Sequence, residues 1–107
     1  MNEARKPMNI STEYSNNNRT LNIVVHGRFD FKMVNEFREA YSAITPEVDS
    51  FVVDFRETDY VDSSGLGMLL NLKRQVSDDT PITLTNCKPQ IKKILLVSRF
   101  DKKFTIQ

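Results

Sequence analysis

The spacing of apolar positions changes several times along the chain, and each change marks an element. Ile10, Thr12 and Tyr14 alternate with polar neighbours, the polar stretch SNNNR follows, and TLNIVVHG is a β-branched run, so this part predicts a hairpin. From Phe31 the period becomes helical. Val34, Phe37, Tyr41 and Ile44 share one face, with Asp30 as the N-cap and Thr45-Pro46 as the stop. FVVDF, residues 51–55, is short, apolar and β-branched, the pattern of a central strand buried on both faces. A helix is predicted from about Ser64 to Val76, closed by the polar SDDTP. ITLTN reads as another strand, Pro89 opens a helix carrying Ile91, Ile94 and Leu95, and KKFTI is a last short strand.

The order ββαβαβαβ has consequences for topology. Strand and helix alternate from residue 20 onward, which requires crossover connections and therefore a largely parallel sheet with helices packed on it. The expected fold is α/β: four to five strands, mostly parallel, with an antiparallel hairpin at the N-terminus. Residues 1–7 read as a flexible polar tail, and residues 8–107 as one domain, since 107 residues suffice for one core and not for two.

Composition narrows the function classes. Fifteen basic residues against fourteen acidic ones leave a net charge of +1, so nothing attracts a nucleic acid in bulk. The basic residues Lys92, Lys93, Arg99, Lys102 and Lys103 crowd the C-terminal part without interleaved aromatics, the pattern of a solvated face. Cys87 is the only cysteine and His26 the only histidine, which leaves no disulfide and no metal cage. Cys87 reads as a half-buried thiol and His26 as a strand-end residue. With no apolar run of signal-peptide or membrane-spanning character, a cytoplasmic location without direct membrane insertion is expected.

The chemistry concentrates in DYVDSSGLG, residues 59–67, where two serines lie between an aspartate and two glycines at the passage from a strand to a helix. Ligands and partners of α/β sheets gather at that end. A hydrolase nucleophile would need a GxSxG elbow and a histidine base, but Val61 stands two before Ser63 and His26 lies far off in sequence. A phosphate-cradling loop would need GxxxxGK[ST] or GxGxxG, and Gly65-Leu66-Gly67 has neither pattern. The remaining chemistry is phosphoacceptance. A phosphoryl group of charge about −1.5 to −2 at a helix N-terminus would be tolerated by the helix dipole and by exposed amides beneath it. The plainer alternative is that one serine caps the helix while the glycines permit a tight turn.

The stretch VVDFRETDYVDSSGLGMLL closely resembles the signature of the STAS domain family, anti-sigma factor antagonist type, in which DSSGLG opens a helix after a strand and a short loop. GRFD at residues 27–30 is similar to the family's Gly-Glu-Leu-Asp, and the Lys88-Pro89 helix start, the SRF turn and KKFTI match its final part. The resemblance implies a STAS fold and a partner-switching role for a protein that is not itself an enzyme and needs no cofactor. It further implies that Ser63 is phosphorylated by a kinase with a histidine-kinase-like ATPase fold that doubles as an anti-sigma-type regulator. A metal-dependent, PP2C-type serine phosphatase would reverse the modification. The unmodified form would bind its partner, possible downstream target included, and the modified form would not. A second role implied by the family is that of a non-enzymatic accessory subunit in an ABC-type membrane transport complex.

Carried over residue by residue, Ser63 is the acceptor, Asp62 its flanking carboxylate, Ser64 the helix-start neighbour, and Asp30 the acid of the GRFD loop. Gly65 and Gly67 complete the signature at the partner-binding surface. On the following helix Gly65, Leu69, Leu72 and Val76 share the arc toward the sheet, with Leu66 and Met68 at its edges. Leu70, Asn71 and Arg74 then lie outside, and Leu70 and Arg74 are expected to touch the partner. Asp54 is expected to tie down the loop after FVVDF. Arg28 and Lys88 depart from the family's usual acidic residue and serine cap, and this sequence ends at Gln107 where many members continue into a further helix.

Overall fold

A computed structural model of the chain describes residues 9–42 and 46–107. The predicted N-terminal tail, and Ile44 and Thr45 at the end of the first helix, lie outside the described residues. The hairpin consists of β1 (Ile10–Ser15) and β2 (Thr20–Val25), paired antiparallel from Ile10 opposite Val25 to Ser15 opposite Thr20. Its connection places Asn16, Asn17 and Asn18 at φ of 55, 57 and 66°. Asparagine tolerates this left-handed region better than other residues with a Cβ, which is why the Asn-rich run makes the turn.

Then come β3 (Gly27–Phe29), a single 3-10 turn (Phe31–Met33) and α1 (Val34–Ser42). The chain continues through β4 (Ser50–Asp54), β5 (Thr58–Val61), α2 (Ser63–Gln75), β6 (Ile82–Thr85), α3 (Pro89–Val97) and β7 (Thr105–Ile106). The main sheet has the order β1-β2-β4-β6-β7, and every pair beyond the hairpin is parallel. Each crossover thus steps in the same direction. With right-handed connections this puts α1, α2 and α3 on one face of the sheet.

Burial follows that arrangement. Leu21, Ile23, Val25, Phe51, Val53, Ile82 and Leu84 are buried beneath the helices, whereas their neighbours Thr20, Asn22, Val24, Ser50, Val52, Thr83 and Thr85 are only half-buried on the other face. FVVDF is therefore an alternating strand rather than one buried on both sides, and its polar-facing neighbours explain why: Thr20 and Ser50 share a hydroxyl hydrogen bond of 2.7 Å across β2 and β4. From α1, Phe37 and Tyr41 enter the core, while Val34, predicted on the same face, is 36% exposed at the helix start. From α3, Ile91 and Leu95 are buried and Ile94 half-buried. Of the predicted last strand, KKFTI, only Thr105–Ile106 pairs, and Phe104 turns into the core against Phe100.

A second, two-stranded parallel sheet joins β3 to β5 and was not anticipated. Gly27, at φ +82°, turns the chain out of β2, and its amide donates to the Glu57 carbonyl at 2.9 Å. The buried Thr58 hydroxyl donates to the Val25 carbonyl at 2.8 Å, closing the seam between the sheets. Phe29 anchors the ribbon, packing against Phe37 at 5.1 Å and Phe55 at 5.8 Å between ring centroids. This small ribbon delivers the chain to both Asp30 and Asp62.

Candidate functional site

Asp62 ends the passage from β5 and adopts an extended backbone, φ −120°, which aims its carboxylate at the start of α2. Its Oδ1 accepts from the Ser64 amide at 2.9 Å and the Gly65 amide at 3.2 Å, while its carbonyl accepts from the Leu66 amide at 3.1 Å. The cap is Asp62 and neither serine. Accordingly α2 starts at Ser63, one residue earlier than predicted, and stops at Gln75 with Val76 as its C-cap.

Three amides of the first turn are thus already engaged by Asp62. Ser63 is exposed, and among the described residues its hydroxyl has no hydrogen-bond partner. Ser64 is half-buried, and its hydroxyl is likewise without a partner. The expectation that exposed amides lie beneath a modified Ser63 is corrected in part: the Asp62 carboxylate takes those of Ser64 and Gly65, and its carbonyl takes that of Leu66.

The two glycines have different roles. Gly65 is buried, and a Cβ there would meet the Phe29 carbonyl oxygen at 2.5 Å, Phe29 Cδ2 at 2.9 Å and Val61 Cγ1 at 3.1 Å. It is placed in the packing and adds almost nothing to the surface. A Cβ on Gly67 would meet nothing within 4 Å. Packing gives no reason for that glycine.

Asp30 lies on the neighbouring strand end, since Phe29 pairs with Val61. It is nearly buried, its Oδ1 accepts from the Lys32 amide at 3.1 Å to cap the 3-10 turn, and its Oδ2 lies 3.5 Å from Arg28 Nε. Arg28, 63% exposed in its side chain, holds its guanidinium 3.9 Å from the centre of the Tyr60 ring. Phe31 is 64% exposed next to this group. Sequence reasoning missed Tyr60 as a surface aromatic, because only the pairing of β3 with β5 sets it beside Arg28.

Further along α2, Met68 is buried, and Leu70, expected outside, is half-buried and packs against the core. The helix lies in the angle between sheet and α1, so its apolar arc is wider than one sheet would require. Asn71 and Arg74 are exposed as expected, with Arg74 donating to Asn71 Oδ1 at 2.8 Å. Asp54 does tie down its loop: Oδ1 accepts from the Arg56 amide at 2.9 Å and from Asn86 Nδ2 at 3.1 Å. Burial pushes the Cys87 thiol up to about 11, opposed by Lys92 and helped by Asp54. His26 meets the Ser11 hydroxyl at 3.1 Å, a strand-end contact. No helix among the described residues is long and apolar enough to cross a membrane.

The family model described as Mlab, STAS domain matches residues 12–107. The chain belongs to the STAS domain family. A STAS-domain containing protein of Pseudomonas aeruginosa is 43% identical over 102 residues, covering 92% of this chain and 99% of that one. The fold is that of the anti-sigma factor antagonist SpoIIAA in its unphosphorylated form, with a TM-score of 0.72 at 22% identity over 92% of this chain and 86% of the other. For the phosphorylated form of this Bacillus cell fate determinant the TM-score is 0.71 at 22% identity, over 92% and 90%. A sulfate transporter family protein from Wolinella succinogenes shares the same STAS architecture, with a TM-score of 0.70 at 14% identity over 82% and 77%. The expected α/β STAS fold, with its antiparallel hairpin and otherwise parallel sheet, is therefore the fold of this chain.

Proposed function

We propose that this STAS domain is a phosphorylation-controlled binding module, a kinase substrate and not an enzyme, with Ser63 as the acceptor. The observation that carries the reading is the exposed Ser63 hydroxyl, which has no partner among the described residues because Asp62 performs the capping that a serine would otherwise do. The likeness to SpoIIAA, a protein with a phosphorylated and an unphosphorylated form, supports the same reading. A serine kinase transfers the γ-phosphoryl group of ATP to Ser63 Oγ, the hydroxyl proton passes to the kinase, and ADP leaves. A serine phosphatase restores the hydroxyl with water, releasing inorganic phosphate.

The unmodified surface binds a partner protein. A phosphate added between Asp62 and Asp30 must be desolvated there or face the partner's own charges. Like-charge juxtaposition in an interface costs several kcal/mol, and each ~1.4 kcal/mol is tenfold in affinity. One phosphate therefore suffices to release the partner.

The test is labelling with the cognate kinase and ATP, followed by a binding measurement. Ser63→Ala should take no label and keep its affinity for the partner, and Ser63→Asp should bind more weakly, though one carboxylate imitates phosphate incompletely. Labelling of Ser63→Ala as strong as wild type would overturn the assignment. A second reading, an accessory subunit of a transport complex, draws on the fold shared with the sulfate transporter family protein. Under that reading the chain co-purifies with a permease and its ATPase, and no kinase labels it.

A further inference from the structure

The Ser63 site is short of positive charge where a phosphate would need it. The Ser64, Gly65 and Leu66 amides are taken by Asp62, so the helix start offers little to an anion. Two carboxylates adjoin it, Asp62 as the cap and Asp30 at the neighbouring strand end. Asp59 is already paired with Lys88 at 3.5 Å, and Lys32 makes no ion pair among the described residues.

Arg28 differs from both lysines. It is directly opposite Tyr60 in the parallel β3–β5 ladder, three residues before Ser63 on the adjoining strand path, about 10 Å at the usual rise of 3.3 Å per residue. An extended arginine and a phosphoserine together span such a gap. The guanidinium is already oriented by the Tyr60 ring beneath it at 3.9 Å, and its contact with Asp30, at 3.5 Å through Nε, is loose. A dianionic phosphate offers a stronger, bidentate partner than a single distant carboxylate oxygen.

We propose that Arg28 is the internal counter-charge for a phosphoryl group on Ser63, drawn off Asp30 and kept within reach by the Tyr60 ring. This rests on Ser63 being the acceptor, as proposed above. Modification then changes two things at once: it adds a phosphate, and it withdraws from the surface a cation that the unmodified form presents beside Phe31. The Asp30 carboxylate loses its cation in the same step, so the added negative charge is shared between the phosphate and Asp30 instead of resting on the phosphate alone.

The test needs no kinase. Phosphoserine is placed at position 63 of the full chain during translation at a reassigned codon, and the phosphate is titrated by phosphorus NMR. Arg28→Gln should raise the second ionisation of the phosphate by about one unit relative to the otherwise unchanged chain. Arg28→Lys should raise it less, and Lys88→Ala should leave it where it was. If Arg28→Gln titrates like the parent, or Lys88→Ala shifts the phosphate as far, Arg28 is not its counter-charge. Failure of a kinase to label Ser63 would sink the proposed function instead, and would leave this titration readable.

Discussion

Gly65 rests against the main-chain oxygen of Phe29 so closely that a Cβ would stand 2.5 Å from it. That contact seats the first turn of α2 on the end of β3, and so fixes how far Ser63 lies from Asp30. Gly65→Ala should cost about 1–3 kcal/mol, as overpacking against backbone does. Gly67→Ala should do the reverse and gain up to about 1 kcal/mol, because an open helical position prefers alanine. Urea unfolding of the two variants checks the contrast, and equal effects would contradict it. If Gly67→Ala also weakens partner binding while it stabilises the fold, the bare backbone at that position is a contact surface.

Asp62 has a structural duty apart from its charge. Asp62→Ala should lower stability by about 1 kcal/mol through loss of the cap, while Asp62→Asn, which keeps an acceptor oxygen, should lie close to wild type. Thermal unfolding distinguishes the pair. Asp62→Asn is consequently the variant in which to measure the charge alone, since the helix start remains intact.

The Asp54 carboxylate links two strand ends through Arg56 and Asn86, the latter at φ 57°. Asp54→Ala should leave the exposed Asn86 and Arg56 amides without this acceptor, at about 0.5–1.5 kcal/mol, since water can replace it in part. Hydrogen exchange at residues 55–58 and 86–87 would report the loosening first. A loss spread evenly over the molecule would contradict so local a role.

Cys87 should behave as an inert thiol. Burial raises its ionisation from 9.0 to about 11, so at neutral pH almost none is thiolate, and alkylation by iodoacetamide should be far slower than for a free cysteine. Because the folded value lies above the unfolded one, the protonated thiol belongs to the folded state. Its contribution is intact below about pH 9 and is lost as pH rises through about 11. Cys87→Ala should flatten that alkaline decline in unfolding experiments.

The elements with a clear period were legible from the sequence. α2, α3 and the hairpin announce themselves through spacing, and Asp30 as a cap was readable because the short acceptor precedes a helical pattern. β3 and β5 were not, since Gly27–Phe29 and Thr58–Val61 are too short to show alternation, and they are strands only because each finds the other. Arg28 and Tyr60 were invisible as a pair for the same reason. FVVDF misled in another way: a β-branched run fits a doubly covered strand as well as one whose outer side carries Val52 among hydroxyls. Leu70 was misplaced because an arc drawn for one packing surface omits the second, α1. The acceptor serine was found through its signature, whereas the capping aspartate needed hydrogen-bond geometry to separate it from the serines beside it.

A sheet clothed on one side only places a constraint on how this sequence can drift. Thr20, Asn22, Thr83 and Thr85 hold the uncovered side in contact with water, with Val24 and Val52 as its apolar members. Replacing Asn22 and Thr83 by valine would keep every strand and every register, yet would draw an oily stripe across three strands, and the penalty would be paid in solubility rather than in folding.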